Sequence, residues 1–257
     1  MYSLKPFARK CRSLLRETRV RILRRLGLLG GDWATGLPAE LQFWEKALAD
    51  GGRNWNETEY RKRTDPKLEL QEELKELVPA APGAVVRILD VGAGPLTPLG
   101  KHWSGRILEI VAVDPLAEQY MAMLARLSLK PPIPVRVAEA EKLLDHFPPN
   151  SFDLAYSSNS LDHSYDPLAA IRQMLAVVKP GHYVYLWHFA NEGTLESFGG
   201  LHQWNFDSVK GDFVISDGKT THSVTSQFKS TAQVTCETIQ AFGKRVVIVK
   251  LKKLGPG

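Results

Sequence analysis

The residues with the clearest capacity for chemistry are Asp90-Val91-Gly92-Ala93-Gly94. They follow the apolar pair Ile88-Leu89, so an acid and two glycines end what reads as a buried parallel strand turning sharply toward a ligand. The glycines let the backbone come close to that ligand. A second apolar run, Ile110-Val111-Ala112-Val113, ends in Asp114, twenty residues after Gly94. A carboxylate at that spacing accepts hydrogen bonds from ribose hydroxyls, and the two segments together read as a nucleotide-cofactor pocket.

The dinucleotide fingerprint requires a third glycine three residues beyond the second, where a helix packs on its strand beneath a pyrophosphate. Thr97 holds that position, flanked by Pro95 and Pro98, and no Lys-Ser or Lys-Thr pair follows. Such a loop is stiffer and bulkier than a phosphate cradle, and S-adenosylmethionine, which has no phosphates, fits it better. A nicotinamide or flavin site and an ordinary α/β turn are the alternatives.

These residues need a frame to hold them. From residue 85 the pattern alternates, with strands expected at 85–90, 107–114, 135–139, 152–157 and 183–189. Helices are expected at 96–103, 117–127 and 167–178, with a short turn at Leu143 or Leu144. Alternation on this scale means parallel strands joined by right-handed crossovers in a doubly wound sheet. A hairpin at 213–220 and a closing strand pair at 234–242 and 245–251 follow. Before the first strand, amphipathic helices are expected at 39–50 and 67–78, placed to cover the pocket, with an Arg-rich stretch around Trp55, Tyr60 and Arg63 between them. The expected organisation is a basic arm and linker at 1–31, a helical cap at 32–82 and a catalytic domain at 83–257 with a substrate-side insertion at 190–231.

The length of 257 residues suits one α/β domain with an appendage. The net charge of +5 is uneven: residues 1–26 hold nine Lys or Arg against Glu17 alone, so the rest of the chain is slightly acidic. In the arm Phe7, Cys11, Leu14 or Leu15, Thr18, Ile22 and Leu26 recur at helical spacing opposite the arginines. Such a helix can lie on an anionic membrane surface, face solvent or a partner, act as a mitochondrial presequence, or touch nucleic acid. The catalytic region has no basic excess, so no nucleic-acid partner is expected there. Two cysteines without metal spacing point to a reducing compartment. No apolar run reaches the roughly 20 residues of a membrane span. The expectation is a cytoplasmic protein with peripheral contact at the inner face of the membrane through residues 1–26; oligomeric state is not legible.

With these residues in place, the chain from about 85 to 189 resembles the class I S-adenosylmethionine-dependent methyltransferases of the small-molecule type. The resemblance implies a Rossmann-like, mostly parallel seven-stranded sheet with an N-terminal helical extension and an insertion after the fifth strand. It implies S-adenosylmethionine as cofactor, with Asp90, Gly92, Ala93 and Gly94 in the glycine motif and Asp114 as the ribose acid. Val137-Ala138-Glu139-Ala140-Glu141 resembles the segment whose acid contacts the adenine amino group, here Glu139 with Ala140 beside it, where the family more often has Asp. Asn150-Ser151-Phe152-Asp153 resembles the turn into the fourth strand and Lys179-Pro180-Gly181 the turn before the fifth; Asp153 reads as a structural acid and Lys179-Pro180-Gly181 as a helix stop.

Methyl transfer is a direct displacement on a sulfonium, so the protein must align the two substrates, exclude water and, for a hydroxyl acceptor, accept a proton. In the resembled family the residues after the fourth strand face the methyl group, here Ser158-Asn159-Ser160-Leu161-Asp162-His163. His163 is the first candidate for general base and His188, at the end of the fifth strand, the second. Asn159 is assigned to the cofactor side; Asp162, Asn191, Glu192, His202 and Trp204 are assigned to the acceptor. The spacing of His163, His188 and His202 fits no local metal motif, and no metal is expected. The expected reaction is O-methylation of a sugar, glycan or polar small molecule, in glycan biosynthesis. C- or N-methylation of a quinone, lipid or amine and a non-catalytic cofactor-binding protein are the alternatives.

Overall fold

The structure, a computed structural model, describes residues 33–255. The basic arm at 1–26 lies outside the described residues. Helix α1 (Trp33–Ala49) is followed by α2 (Glu57–Thr64) and the single turn α3 (Glu72–Lys75). Strands β1 (Val85–Val91) and β2 (Ile107–Asp114) come next, then α4 (Ala117–Arg126), β3 (Val135–Val137), β4 (Phe152–Ser158), α5 (Pro167–Val177) and β5 (Val178–Phe189). The insertion holds the turn α6 (Glu192–Leu195), β6 (Asn205–Val209), β7 (Asp212–Ser216), β8 (Thr221–Ser223) and α7 (Val224–Phe228). Strands β9 (Ala232–Ala241) and β10 (Lys244–Lys253) close the chain.

Seven strands form one sheet in the order β3-β2-β1-β4-β5-β10-β9. The first five are parallel, and β10 pairs antiparallel with both β5 and β9. This is the doubly wound sheet expected from the alternation, in the mostly parallel, seven-stranded Rossmann-like form that the resemblance implied. Both faces of its centre are covered, so β1 and β4 are buried nearly throughout instead of alternating. The chain order reverses between β1 and β4, and at such a switch point the carboxyl ends of the strands leave a crevice for ligands. Helix α5 begins where Asp166 caps the Ala169 N–H and Pro167 supplies a pre-set first turn.

Several elements differ from the sequence expectation. No helix forms at 96–103. Pro98 has no N–H to give a helix, and the segment is tied sideways to the cap: Lys101 and His102 donate backbone N–H groups to Leu68 O, and Leu70 donates to His102 O. Gly100 packs on that strip so closely that a Cβ would lie 2.1 Å from Glu69 O. The same tie explains why the helix expected at 67–78 shrinks to Glu72–Lys75. The Arg-rich stretch forms α2, capped where Asn56 accepts from Glu59 N–H. Lys179-Pro180-Gly181 lies within β5, at an irregularity in its pairing with β4. The expected hairpin at 213–220 is the β7–β8 pair, with β6 added to give a separate three-stranded sheet. That sheet is not a loose appendage, because Phe206, Phe213 and Ile215 are buried in the main core. Among the described residues no helix is long and apolar enough to cross a membrane.

Candidate active site

The crevice at the switch point opens into a cavity of about 900 Å³, near the upper end of the roughly 300–1,000 Å³ usual for ligand pockets. Asp90, Gly92, Ala93, Gly94, Asp114, Glu139, Ala140, Asn159, His163, Glu192 and His202 all reach its wall. Of the other residues singled out in the sequence, Asp162, His188, Asn191 and Trp204 do not line it.

One end is built for close backbone approach. Gly92 and Gly94 have φ of 70° and 62°, the left-handed region that favours glycine. A Cβ on Gly92 would lie 2.3 Å from Ser160 Oγ, whose hydroxyl bonds Val91 O and Ser157 Oγ. Asp114 orders the same turn, accepting from Gly94 N–H at 3.1 Å and Leu116 N–H at 2.9 Å. Burial pushes the Asp114 carboxyl up to about 6, against those two backbone bonds.

Beside the glycines, burial pushes Asp90 up to about 7, opposed by the Thr97 hydroxyl and the Arg63 charge. Its Oδ2 is buried with no hydrogen-bond partner. Arg63, from α2, reaches the same wall, donating from Nη1 to Leu96 O and lying 5.6 and 5.3 Å from the Trp44 and Trp55 rings. Its Nε is also buried without a partner. A carboxylate and a guanidinium with unspent hydrogen-bonding capacity fit a ligand end that carries both an ammonium and a carboxylate, which is the amino-acid end of S-adenosylmethionine. Arg63 was legible in sequence only as part of a polar stretch; the cage formed by Trp44 and Trp55 selects it from its neighbours.

On the other side Glu139 Oε2 accepts from Tyr165 Oη at 2.9 Å and pairs with Lys142 at 2.8 Å, and the lysine bond holds its carboxyl below the usual range. Asn159 turns the chain at φ 48°; its N–H donates to Trp187 O and its Oδ1 accepts from Phe189 N–H, pinning β4 to β5.

The acceptor side gathers residues from three places. His202 Nδ1–H donates to Asp162 Oδ2 at 2.7 Å, and His163 Nε2 stands 3.1 Å from that same Nδ1. Glu40 of α1 lies 4.0 Å from His163 Nδ1. Burial works against the Asp162 charge, but His163 and His202 hold its carboxyl down to about 2. His202 is raised by its bond to Asp162 against the opposing effect of burial. Trp204 donates its indole N–H to Ser164 O and so braces the loop that carries His163. Asn191 bonds Asp207, and Glu192 pairs with Lys244 at 3.1 Å. His188 is buried edge-on to Phe206, and burial pushes its pKa down to about 4. Away from the crevice, Asp153 accepts from Arg87 N–H and pairs with Lys179.

Residues 89–186 match a family model described as a methyltransferase domain. No curated protein matches the chain at a significant level. Among solved structures it is similar to Haemonchus contortus phosphoethanolamine N-methyltransferase 2 in complex with phosphomonomethylethanolamine and S-adenosylhomocysteine, at 14% identity over 71% of this chain and 51% of that one, TM-score 0.49. It is similar to the CurJ carbon methyltransferase at 14% identity over 68% and 50%, TM-score 0.49. It is also similar to the YcgJ protein of Bacillus subtilis at 16% identity over 71% and 97%, TM-score 0.39. The chain thus spans about half the length of the first two. None of the three scores reaches 0.5, and they carry no further weight. The matched segment runs from the middle of β1 into β5, and so includes the glycine loop, Asp114 and His163. Residues 89–186 thus match a methyltransferase domain, and they lie on a seven-stranded, mostly parallel sheet.

Proposed function

We propose that this chain is an S-adenosylmethionine-dependent methyltransferase that acts on a hydroxyl of a sugar, glycan or other polar small molecule. The observation that carries the reading is the Asp162–His202–His163 cluster at the cavity wall. A hydroxyl attacking the methyl carbon must lose its proton as the new bond forms, and imidazoles held beside a buried carboxylate take up that proton. The walls add support. Trp187, Phe189 and Phe242 offer aromatic faces, while Glu59 and Glu73 offer acceptors for hydroxyls. That mixture suits a polyol, whose ring faces are apolar and whose edges are hydroxyls.

S-adenosylmethionine supplies an electrophilic methyl on a sulfonium that leaves without protonation. The chain's own residues do the rest. In this reading Asp114 takes the ribose hydroxyls, Glu139 with Ala140 faces the adenine, and Asp90 and Arg63 take the ammonium and carboxylate of the amino-acid end. His163 receives the acceptor proton, Asp162 stabilises the resulting positive charge through His202, and Trp204 keeps the loop in place. Residues 32–82 serve as the cap over the cofactor, and 190–231 as the substrate-side insertion that contributes His202 and Glu192. The basic arm at 1–26 would hold the enzyme at an anionic membrane surface, where lipid-linked glycans are built.

The test is transfer of labelled methyl from S-adenosylmethionine to a panel of sugars, glycans, amines and quinones. Label recovered as a methyl ether on a sugar supports the reading. Label recovered only on nitrogen or carbon replaces it with the corresponding N- or C-methyltransferase.

A further inference from the structure

Three ligand-type atoms converge on one point of the cavity wall: Asp162 Oδ2, His163 Nε2 and His202 Nδ1. Their separations are 2.7 Å, 3.1 Å and 3.5 Å. Metal–ligand bonds of about 2.1 Å put neighbouring ligands roughly 3.0 Å apart at octahedral corners and roughly 3.4 Å apart at tetrahedral ones. The 3.1 Å and 3.5 Å edges have that size, and the 2.7 Å edge would have to open by about 0.3 Å.

Protons alone serve this triangle badly. If His202 Nδ1–H donates to Asp162, His163 Nε2 faces that same nitrogen with either a lone pair, which can only share that one proton, or a second N–H pressed against the first. Asp162 is 3% exposed, and its other oxygen, Oδ1, is buried with no hydrogen-bond partner. The site therefore buries a carboxylate whose bonding capacity the protein leaves unspent. A doubly charged cation at the common point turns all three contacts favourable, with both imidazoles neutral and their other nitrogens carrying the hydrogens. On His163 that other nitrogen is Nδ1, the one 4.0 Å from the Glu40 carboxylate, the side from which a ligating imidazole is commonly steadied.

We propose that Asp162, His163 and His202 form a binding site for a divalent transition-metal ion. Two imidazoles and one carboxylate favour zinc-type ions over magnesium or calcium. His163 and His202 both line the cavity, so the ion's remaining positions face the acceptor. The ligand class it would take there is an oxygen chelate, two neighbouring hydroxyls of a polyol, with the ion holding one of them as its alkoxide and the proton going to water. That use of the ion rests on the hydroxyl reading above; the binding of the ion does not. His202 is 39 and 40 residues from the adjacent pair His163 and Asp162, so no local spacing marks the three together, and the fold alone brings His202 to the loop after β4.

The test uses the untagged full chain, stripped with chelator and titrated with Zn²⁺ by calorimetry and with Co²⁺ by visible absorption. One-to-one saturable binding with a Co²⁺ ligand-field band, weakened at least about tenfold in His202→Ala and in His163→Ala, is the expected result. Asp162→Ala is the more disruptive change because the residue is buried, so the two histidine variants carry the test, with thermal unfolding and S-adenosylhomocysteine binding as checks of the fold. Absence of saturable binding by the folded parent chain, or binding unchanged in both histidine variants, overturns the proposal. The hydroxyl reading is decided separately by the position of the transferred label. Methyl ether formation by metal-free protein would leave His163 as the base and remove the ion from the reaction, while its binding is decided by the titrations.

Discussion

The pH dependence of cofactor binding gives a demanding test of the cofactor half of the pocket. To accept two ribose hydroxyls Asp114 must be ionised, yet burial raises its carboxyl to about 6. Glu40 from α1 pushes it further up, while the Gly94 and Leu116 N–H groups and His163 oppose. Binding that requires the ionised form loses affinity as pH falls through that value. Near pH 7 about nine-tenths of the group is ionised and near pH 5 about one-tenth, so affinity should drop roughly tenfold, or about 1.4 kcal/mol. Folding stability runs the other way. A folded-state pKa raised above 3.8 contributes stability that is complete below that value and is lost as pH rises through about 6. Calorimetric titration with S-adenosylhomocysteine from pH 5 to 8 reads the binding side. Asp90 titrates nearby, at about 7, so the decisive control is Asp114→Asn, which should flatten the lower step and leave any upper one. Asp114→Ala should cost about 1.5–3 kcal/mol of affinity per charged hydrogen bond lost. Equal slopes between pH 5 and 7 in parent and Asp114→Asn would refute the assignment of Asp114 to the ribose.

Four further outcomes are expected. His163→Ala should lower the rate of methyl transfer by about 10² to 10⁴ while S-adenosylhomocysteine affinity stays within a factor of two or so, and full activity would remove it from the reaction. Arg63→Met should weaken S-adenosylhomocysteine by roughly tenfold or more but leave adenosine binding unchanged, since only the former carries the amino-acid end; equal losses for both would point to a collapsed pocket. Gly92→Ala should cost about 2–3 kcal/mol of unfolding free energy, from left-handed strain and the displaced Ser160 hydroxyl, and a denaturant midpoint equal to the parent's would contradict the packing described. Removing residues 1–31 should abolish salt-sensitive sedimentation with acidic liposomes, and persistence of that binding would locate the contact elsewhere.

The sheet and the glycine turn were legible because both are written locally. A buried strand is a short apolar run, and Asp90, Gly92, Gly94 and Asp114 act within one strand-turn-strand unit whose spacing is fixed by geometry. What escaped is written across distance. A helix at 96–103 has adequate local propensity but loses to backbone bonds from Leu68 and Leu70, some thirty residues earlier. Trp204 was assigned to the acceptor, yet its indole N–H is bonded to Ser164 O, forty residues earlier. Glu40 and Arg63 reach the pocket only because α1 and α2 fold over it, and no motif marks either residue. His188 drew notice as a histidine at a strand end, where strand direction decides between cavity and core; the alternation of β5 turned it into the core against Phe206.

The strip in which residues 68–70 run alongside 101–102 has a consequence for how the protein can be shortened. A chain trimmed to begin at β1 would retain every strand of the large sheet and the whole segment that matches the methyltransferase domain. It would also lose Leu70, Leu74 and Val78, which are packed against Val86, Ile88, Leu99 and Trp103. The stump would present that apolar face to water, and Gly100 would lose the backbone on which it rests. The practical limit of a minimal catalytic fragment therefore lies before Leu68, not at the first strand, and expression of anything shorter should yield aggregate.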